Sequence, residues 1–411
     1  MSTEMSELKK KYADLLIHSG INLQKGQRLA ISSPVECADF VRLCAASAYE
    51  AGCREVLVSW SDDELTRLKY LNAEDDVFDS VNPWEKDFRD IISEEGAGWL
   101  AIYAEDPENL KGADPDRIRR AQAARGKAME KFRQREMRNE FPWCVCSVPT
   151  RAWAKAVFPD MDEEAACEAL WEKILSACRV DEGDVLQNWK THSDELQRHV
   201  KILNDYCFKE LRYRNSAGTD VTVRLPEGHF WAGGEEKSAA GLPFSANIPT
   251  EEVFTLPDRN GINGRIVATR PLAHNGTLIE GFRFDVRDGK ITDVHADKGE
   301  QVLRDAVSLD EGASYFGEVA LVPHDSPISN SGILFLNTLF DENASCHFAF
   351  GEAYPCIEGA ENMTREELEA RGVNFSMTHV DFMVGSPDMT ITGITHEGVE
   401  VPVFTDGNFA F

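Results

Sequence analysis

Two histidines and several carboxylates lie in stretches whose other residues are apolar and strand-forming. In "THVDFMVGSPD", His379 and Asp381 alternate with Val380 and Phe382. An extended strand would therefore turn the first pair to one face and the second pair to the other. One imidazole nitrogen and one carboxylate oxygen side by side make a donor set suited to zinc, cobalt or manganese. The same residues also suit the polar side of an edge strand. In "NTLFDENASCHFAFG", the apolar flanks Leu339-Phe340 and Phe348, Phe350 enclose Asp341, Glu342, Asn343, Ser345, Cys346 and His347. A charge carried into a core needs a partner. Glu342 and His347 stand five apart, a spacing that fits neither one strand face nor an i, i+4 helix pair. It places Glu342 in a turn or at a helix start, with His347 about one turn inside, and Asp341 or Asn343 as cap. "YFGEVALVP" brings a single acid, Glu318, into an apolar strand. "NIPTEEVFTLPD" brings Glu251 and Glu252, of which alternation lets only one face a shared site while the other faces outward.

Each segment alone also has a plain structural reading, as a rim acid, a cap or a satisfied buried histidine. Together they offer four carboxylates and two imidazoles to one pocket. Such a carboxylate cluster repels itself unless cations offset it, and four carboxylates nearly offset two divalent ions. Two metals about 3.5–4 Å apart form a clamp used in hydrolysis.

The elements that must carry these residues read as two halves. Residues 1–200 alternate helix and strand signals: strands at "QRLAISSP", "REVLVSW", "AGWLAIYAE" and "WCVCSVPT", with helices between them. One long basic helix is expected from Pro115 to Met137. This pattern implies a parallel sheet covered on both faces, an α/β scaffold domain. No G-x-G-x-x-G follows any of these strands and no G-x-x-x-x-G-K-[ST] occurs, so nucleotide fingerprints are missing. After a helix at "DELQRHVKILNDYCFKEL", the chain from about Leu211 shows short alternating runs and turn pairs such as Asp288-Gly289, in a second half spanning residues 201–411. They imply an α+β domain whose mostly antiparallel sheet carries the site.

The 411 residues carry a formal net charge of −28, with 42% apolar and 28% charged residues. That balance argues against nucleic acid and against an anionic membrane surface as partners. The first twenty residues lack the apolar stretch of an export signal, and no run is long enough to span a membrane. Ten scattered cysteines suggest buried thiols in a reducing cytoplasm, with Cys144 and Cys146 packed on one strand face.

Taken in order, "NIPTEEVFTLPD", "GEVALVP", "NTLFDENASCHFAFGEAYP", "GVNFSMTHVDFMVGS" and the closing "GNFAF" resemble the aminopeptidase S/aminopeptidase T family of dinuclear metallo-aminopeptidases. The resemblance implies metal ligands at Glu252, Glu318, His347, His379 and Asp381, with Glu318 as the bridging carboxylate. It implies that Glu342 is a ligand or a nearby acid, and that Tyr354 of "GEAYP" stabilises an oxyanion. It further implies two divalent ions (zinc, cobalt, manganese or magnesium), a hydroxide between them attacking the first peptide bond, and Glu318 or Glu342 moving the proton. Short peptides with a free N-terminus would be the substrates and a homodimer the assembly. Two other readings use the same residues: another dinuclear hydrolase, an amidase or a phosphoesterase, and an inactive metal-binding protein. A phosphoesterase should bring cationic side chains to the site, and only Arg259 and Arg265 lie near its segments.

Overall fold

The computed structural model describes residues 3–181, 183–274 and 276–411. The chain forms two compact units, Met1–His192 with Glu235–Pro249, and Ser193–Gly234 with Thr250–Phe411.

In the first unit the strands Glu55–Ser61, Arg28–Pro34, Gly98–Ile102 and Trp143–Cys146 lie in that order, all parallel. All five residues of Gly98–Ile102 are buried, as expected of a strand covered on both faces. Helices of this unit begin at side-chain caps where the sequence supplies them. Asp62, Thr150 and Asp162 accept the main-chain N–H of Leu65, Trp153 and Ala165. The long basic helix is in fact two, Pro115–Ala128 and Glu130–Met137, because Met129 leaves helical geometry at φ −95°, ψ 6°. Trp99, Phe132 and Phe141 form part of the core on one side of this sheet. The segment 235–249 joins the unit through main-chain bonds on either side of Val145, to Ala246 O and from Ile248 N. Cys144 and Cys146 are fully buried, and among the described residues no cysteine is in a disulfide.

The second unit is built on two antiparallel sheets. The larger runs Lys290–His295, Arg283–Arg287, Ile262–Val267, Asp220–Arg224, Glu210–Arg214, Thr390–Ile394, Glu400–Thr405 and Asn408–Phe409. The smaller runs His379–Met383, His347–Gly351, Phe316–Leu321, Val253–Thr255 and Ala232–Gly233. The two share one aromatic-rich core. Phe348 meets Tyr213 at 5.2 Å between ring centroids, and Phe382 meets Phe284 at 5.1 Å. The helix expected from Asp194 spans Val185–Tyr206. The parallel sheet and the two antiparallel sheets give the mixed α/β architecture that the alternating and hairpin patterns imply. Among the described residues no helix is long and apolar enough to cross a membrane.

Candidate metal centre

Three adjacent strands of the smaller sheet set the site. Glu318 lies opposite Ala349, and Ala349 opposite Asp381; two residues along, Gly351 lies opposite His379 and Ala320 opposite His347. All these residues therefore share one face, while Val319, Phe348, Phe350, Val380 and Phe382 point into the core. Ala349 and Gly351, small residues between the polar ones, leave room over the middle strand. The register slips between Phe316 and Glu318, so Phe316 packs in the core although two residues before Glu318. Glu252 arrives just ahead of the Val253–Thr255 strand, which pairs with Phe316–Leu321.

The side chains converge. His347 Nε2 lies 3.2 Å from Glu252 Oε2 and 3.3 Å from Glu318 Oε1. His379 Nε2 lies 3.2 Å from Asp381 Oδ1 and 3.8 Å from Glu318 Oε2. Glu318 thus presents one oxygen to each histidine. Two overlapping groups result, Glu252–Glu318–His347 and Glu318–His379–Asp381, each with donor atoms within 4.8 Å of one another. His347, Glu252 and Glu318 are buried.

Both imidazoles are aimed by their other nitrogen. His379 Nδ1 donates to the main-chain oxygen of Glu352 at 2.7 Å, and His347 Nδ1 lies 3.3 Å from Ser345 O. Each Nε2 is left for the site, the arrangement of metal-ligating histidines. The Glu352 carboxylate in turn accepts the Ser376 N–H, and Asp310 accepts from Ser376 Oγ at 2.8 Å and Met377 N at 2.6 Å. Gly317 permits this layer: a Cβ there would stand 2.0 Å from Glu352 O.

Burial and mutual charge displace the pKa values of most of these groups. Burial opposes charge on His379, but Asp381 and Glu318 push its pKa up to about 10. Burial likewise opposes charge on His347, and contacts with Glu252 and Glu318 still raise it well above the imidazole range. Burial, then Asp381 and Glu252, push Glu342 well above the carboxylate range, and Glu318 is also raised, chiefly by burial. Asp381 is held low by His379 despite its own burial. Glu252 Oε2 and Asp381 Oδ1 are buried without a properly aligned hydrogen bond. Orphaned carboxylate oxygens beside imidazole nitrogens are the donor set a divalent cation takes, so these residues fit a metal.

Three sequence expectations are corrected here. His347 does not lie in a helix: Glu342–Ala344 is a 3-10 turn, Ser345 is extended at φ −167°, and His347 opens a strand. The short helix Thr338–Asp341 before it is capped by Asn337, not by Asp341 or Asn343. Glu251 does not face outward, being 2% exposed. Tyr354 is half-exposed with its ring edge-on to His379 at 5.5 Å. Glu342 stands near Glu252, Glu318, His347 and Asp381 but outside both three-donor groups. The Glu352 carbonyl and Gly317 went unread because a main-chain oxygen leaves no trace in residue type. Arg259 and Arg265 are engaged, by Glu311 and Asn374 and by Asp285 respectively.

Two joined carboxylate–imidazole groups on one sheet face fit the metal donor set of a metallohydrolase. Residues 5–409 match the model of the family described as thermophilic metalloprotease (M29). Aminopeptidase AmpS of Bacillus subtilis is 45% identical over 97% of this chain and 98% of its own length. Aminopeptidase T of Thermus aquaticus is 40% identical over 97% of each chain. The solved structure titled wild-type AmpT from Thermus thermophilus superposes with a TM-score of 0.93 at 38% identity, covering 99% of this chain and 100% of that one. The chain belongs to the M29 metalloprotease family, and it is a metal-dependent peptidase.

Proposed function

We propose that the chain is an aminopeptidase that removes the N-terminal residue from short peptides, using two divalent cations. The observation that carries this reading is the division of Glu318 between two donor groups, one oxygen toward His347 and the other toward His379. Glu252 and His347 would hold one ion, His379 and Asp381 the other, with Glu318 bridging. Glu342 is assigned as an additional ligand or the acid beside them. When bound, such ions lower the pKa of water toward neutrality and polarise a carbonyl.

The chain's own groups do the rest. Ser345 O and Glu352 O hold the histidines in the tautomer that offers Nε2. Tyr354, edge-on to His379, donates its hydroxyl to the substrate oxygen as charge builds there. Glu318 or Glu342, as a carboxylate, would take the proton of the attacking water and hand it to the departing amine at its carboxyl oxygen. The acidic wall meets the substrate's α-ammonium group, which restricts cleavage to the first residue. Zinc, cobalt and manganese suit these mixed imidazole–carboxylate donors, and the family resemblance alone adds magnesium. Reduced, largely buried thiols support a cytoplasmic setting, and the assembly is assigned as a homodimer, checked by light scattering.

The test is release of chromophore from a leucyl anilide by chelated protein resupplied with zinc, cobalt or manganese. Metal-dependent release is expected. No release with any of the three sinks the reading, and release from a phosphate ester instead would favour the other hydrolase.

A further inference from the structure

Asn343 is fully buried in the 3-10 turn that carries Glu342. Its Oδ1 accepts the main-chain N–H of Glu251 at 2.7 Å. Its Nδ2 donates to Leu339 O at 2.9 Å and approaches Glu342 Oε1 at 3.4 Å. One amide therefore ties together two segments 92 residues apart. One leads directly into Glu252, and the other carries Glu342. The partners fix the amide's orientation, since the N–H can meet only the oxygen and the carbonyl only the NH2. No other neutral side chain of this size offers an acceptor on one side and two donors on the other.

The tie lies where it is needed. Glu252 precedes its strand and Glu342 lies in a turn, so neither is set by a sheet register as Glu318, His347, His379 and Asp381 are. We infer that Asn343 is a positioning residue of the metal centre, fixing Glu252 and Glu342 against each other through the Glu251 main chain. This rests on the metal-centre reading above. Groups one step behind metal ligands are typically worth about 10–100-fold in affinity or activity.

Two substitutions separate its two ends. Asn343→Asp keeps the shape and the acceptor for Glu251 but turns an oxygen toward Leu339 O and Glu342. Asn343→Ala removes both ends. Chelated parent and variants are titrated with cobalt chloride, followed by the visible cobalt bands, and assayed for kcat and KM on the leucyl anilide. Asn343→Asp is expected to weaken cobalt binding about 10–100-fold and to lower kcat while KM stays within about threefold; Asn343→Ala should weaken binding further. A variant that melts earlier but binds cobalt and turns over like the parent would show a structural role only and overturn the inference. Should neither variant fold, hydrogen exchange of the parent decides: the Glu251 amide must be protected, and exchange at the unprotected rate overturns the tie. A parent that takes up no cobalt overturns the metal centre itself, an outcome distinct from parent binding without an Asn343 effect.

Discussion

Tyr354 is half-exposed, with its ring edge-on to His379 and to Phe254. In the proposed reaction its phenol acts on the substrate oxygen, outside both donor groups. Tyr354→Phe keeps the ring against His379 and Phe254 and removes only the hydroxyl. The expected result is a drop in kcat of about 10²–10³-fold, the usual range for a lost oxyanion donor, with metal affinity unchanged. Steady-state kinetics beside a cobalt titration checks it; an unchanged kcat removes Tyr354 from the reaction. Glu318 stands at the other extreme. Both of its oxygens face imidazoles, and among the described residues no other belongs to both donor groups.

At the scale of elements, three strands carry four of the six candidate metal-site residues, and their alternation is the part of the site most legible in sequence. "HVDFM" places His379 and Asp381 opposite Val380 and Phe382, as the structure does. The Glu342–His347 spacing was illegible for a physical reason: a 3-10 turn and a strand meet between them, so no single period relates the two. The slip at Gly317 was hidden as well, because a bulge breaks the alternation from which strand faces are inferred. That glycine yields a prediction. A Cβ at 317 would stand 2.0 Å from Glu352 O and 2.7 Å from Gly351 O, and Glu352 O is the acceptor that aims His379. Gly317→Ala should cost about 1–3 kcal/mol of stability, as overpacking does. It should also lower activity per folded molecule, because the backbone must shift at that carbonyl. Thermal melts and kcat on the same sample test both effects, and a destabilised variant of full activity would uncouple Gly317 from the site.

For the whole molecule, stability should respond to pH and to metal through different places. In the first unit, burial pushes Glu136 up to about 7 against the pull of Arg89 and Arg133. An acid with a raised folded pKa stabilises the fold fully only below its unfolded value of about 4.3, and that contribution is lost as pH rises through about 7. Glu136→Gln should therefore raise the thermal midpoint at pH 8 more than at pH 5; an equal effect at both would show that its ionisation carries no cost. The second unit holds Glu252, Glu318, Glu342 and Asp381 around two imidazoles on a chain already at −28. A cation bound only by the folded state, at about 100 times its Kd, adds about 2.7 kcal/mol. On a unit of roughly 200 residues that corresponds to a shift of roughly 5–10 °C in the melting midpoint. Chelation should lower the midpoint by that order, and returning cobalt or zinc should restore it. Glu318→Ala, which removes the oxygens both groups share, should melt at the same temperature with and without metal. A variant still stabilised by cobalt would place the ion elsewhere, and a parent indifferent to chelation would detach the metal from the fold.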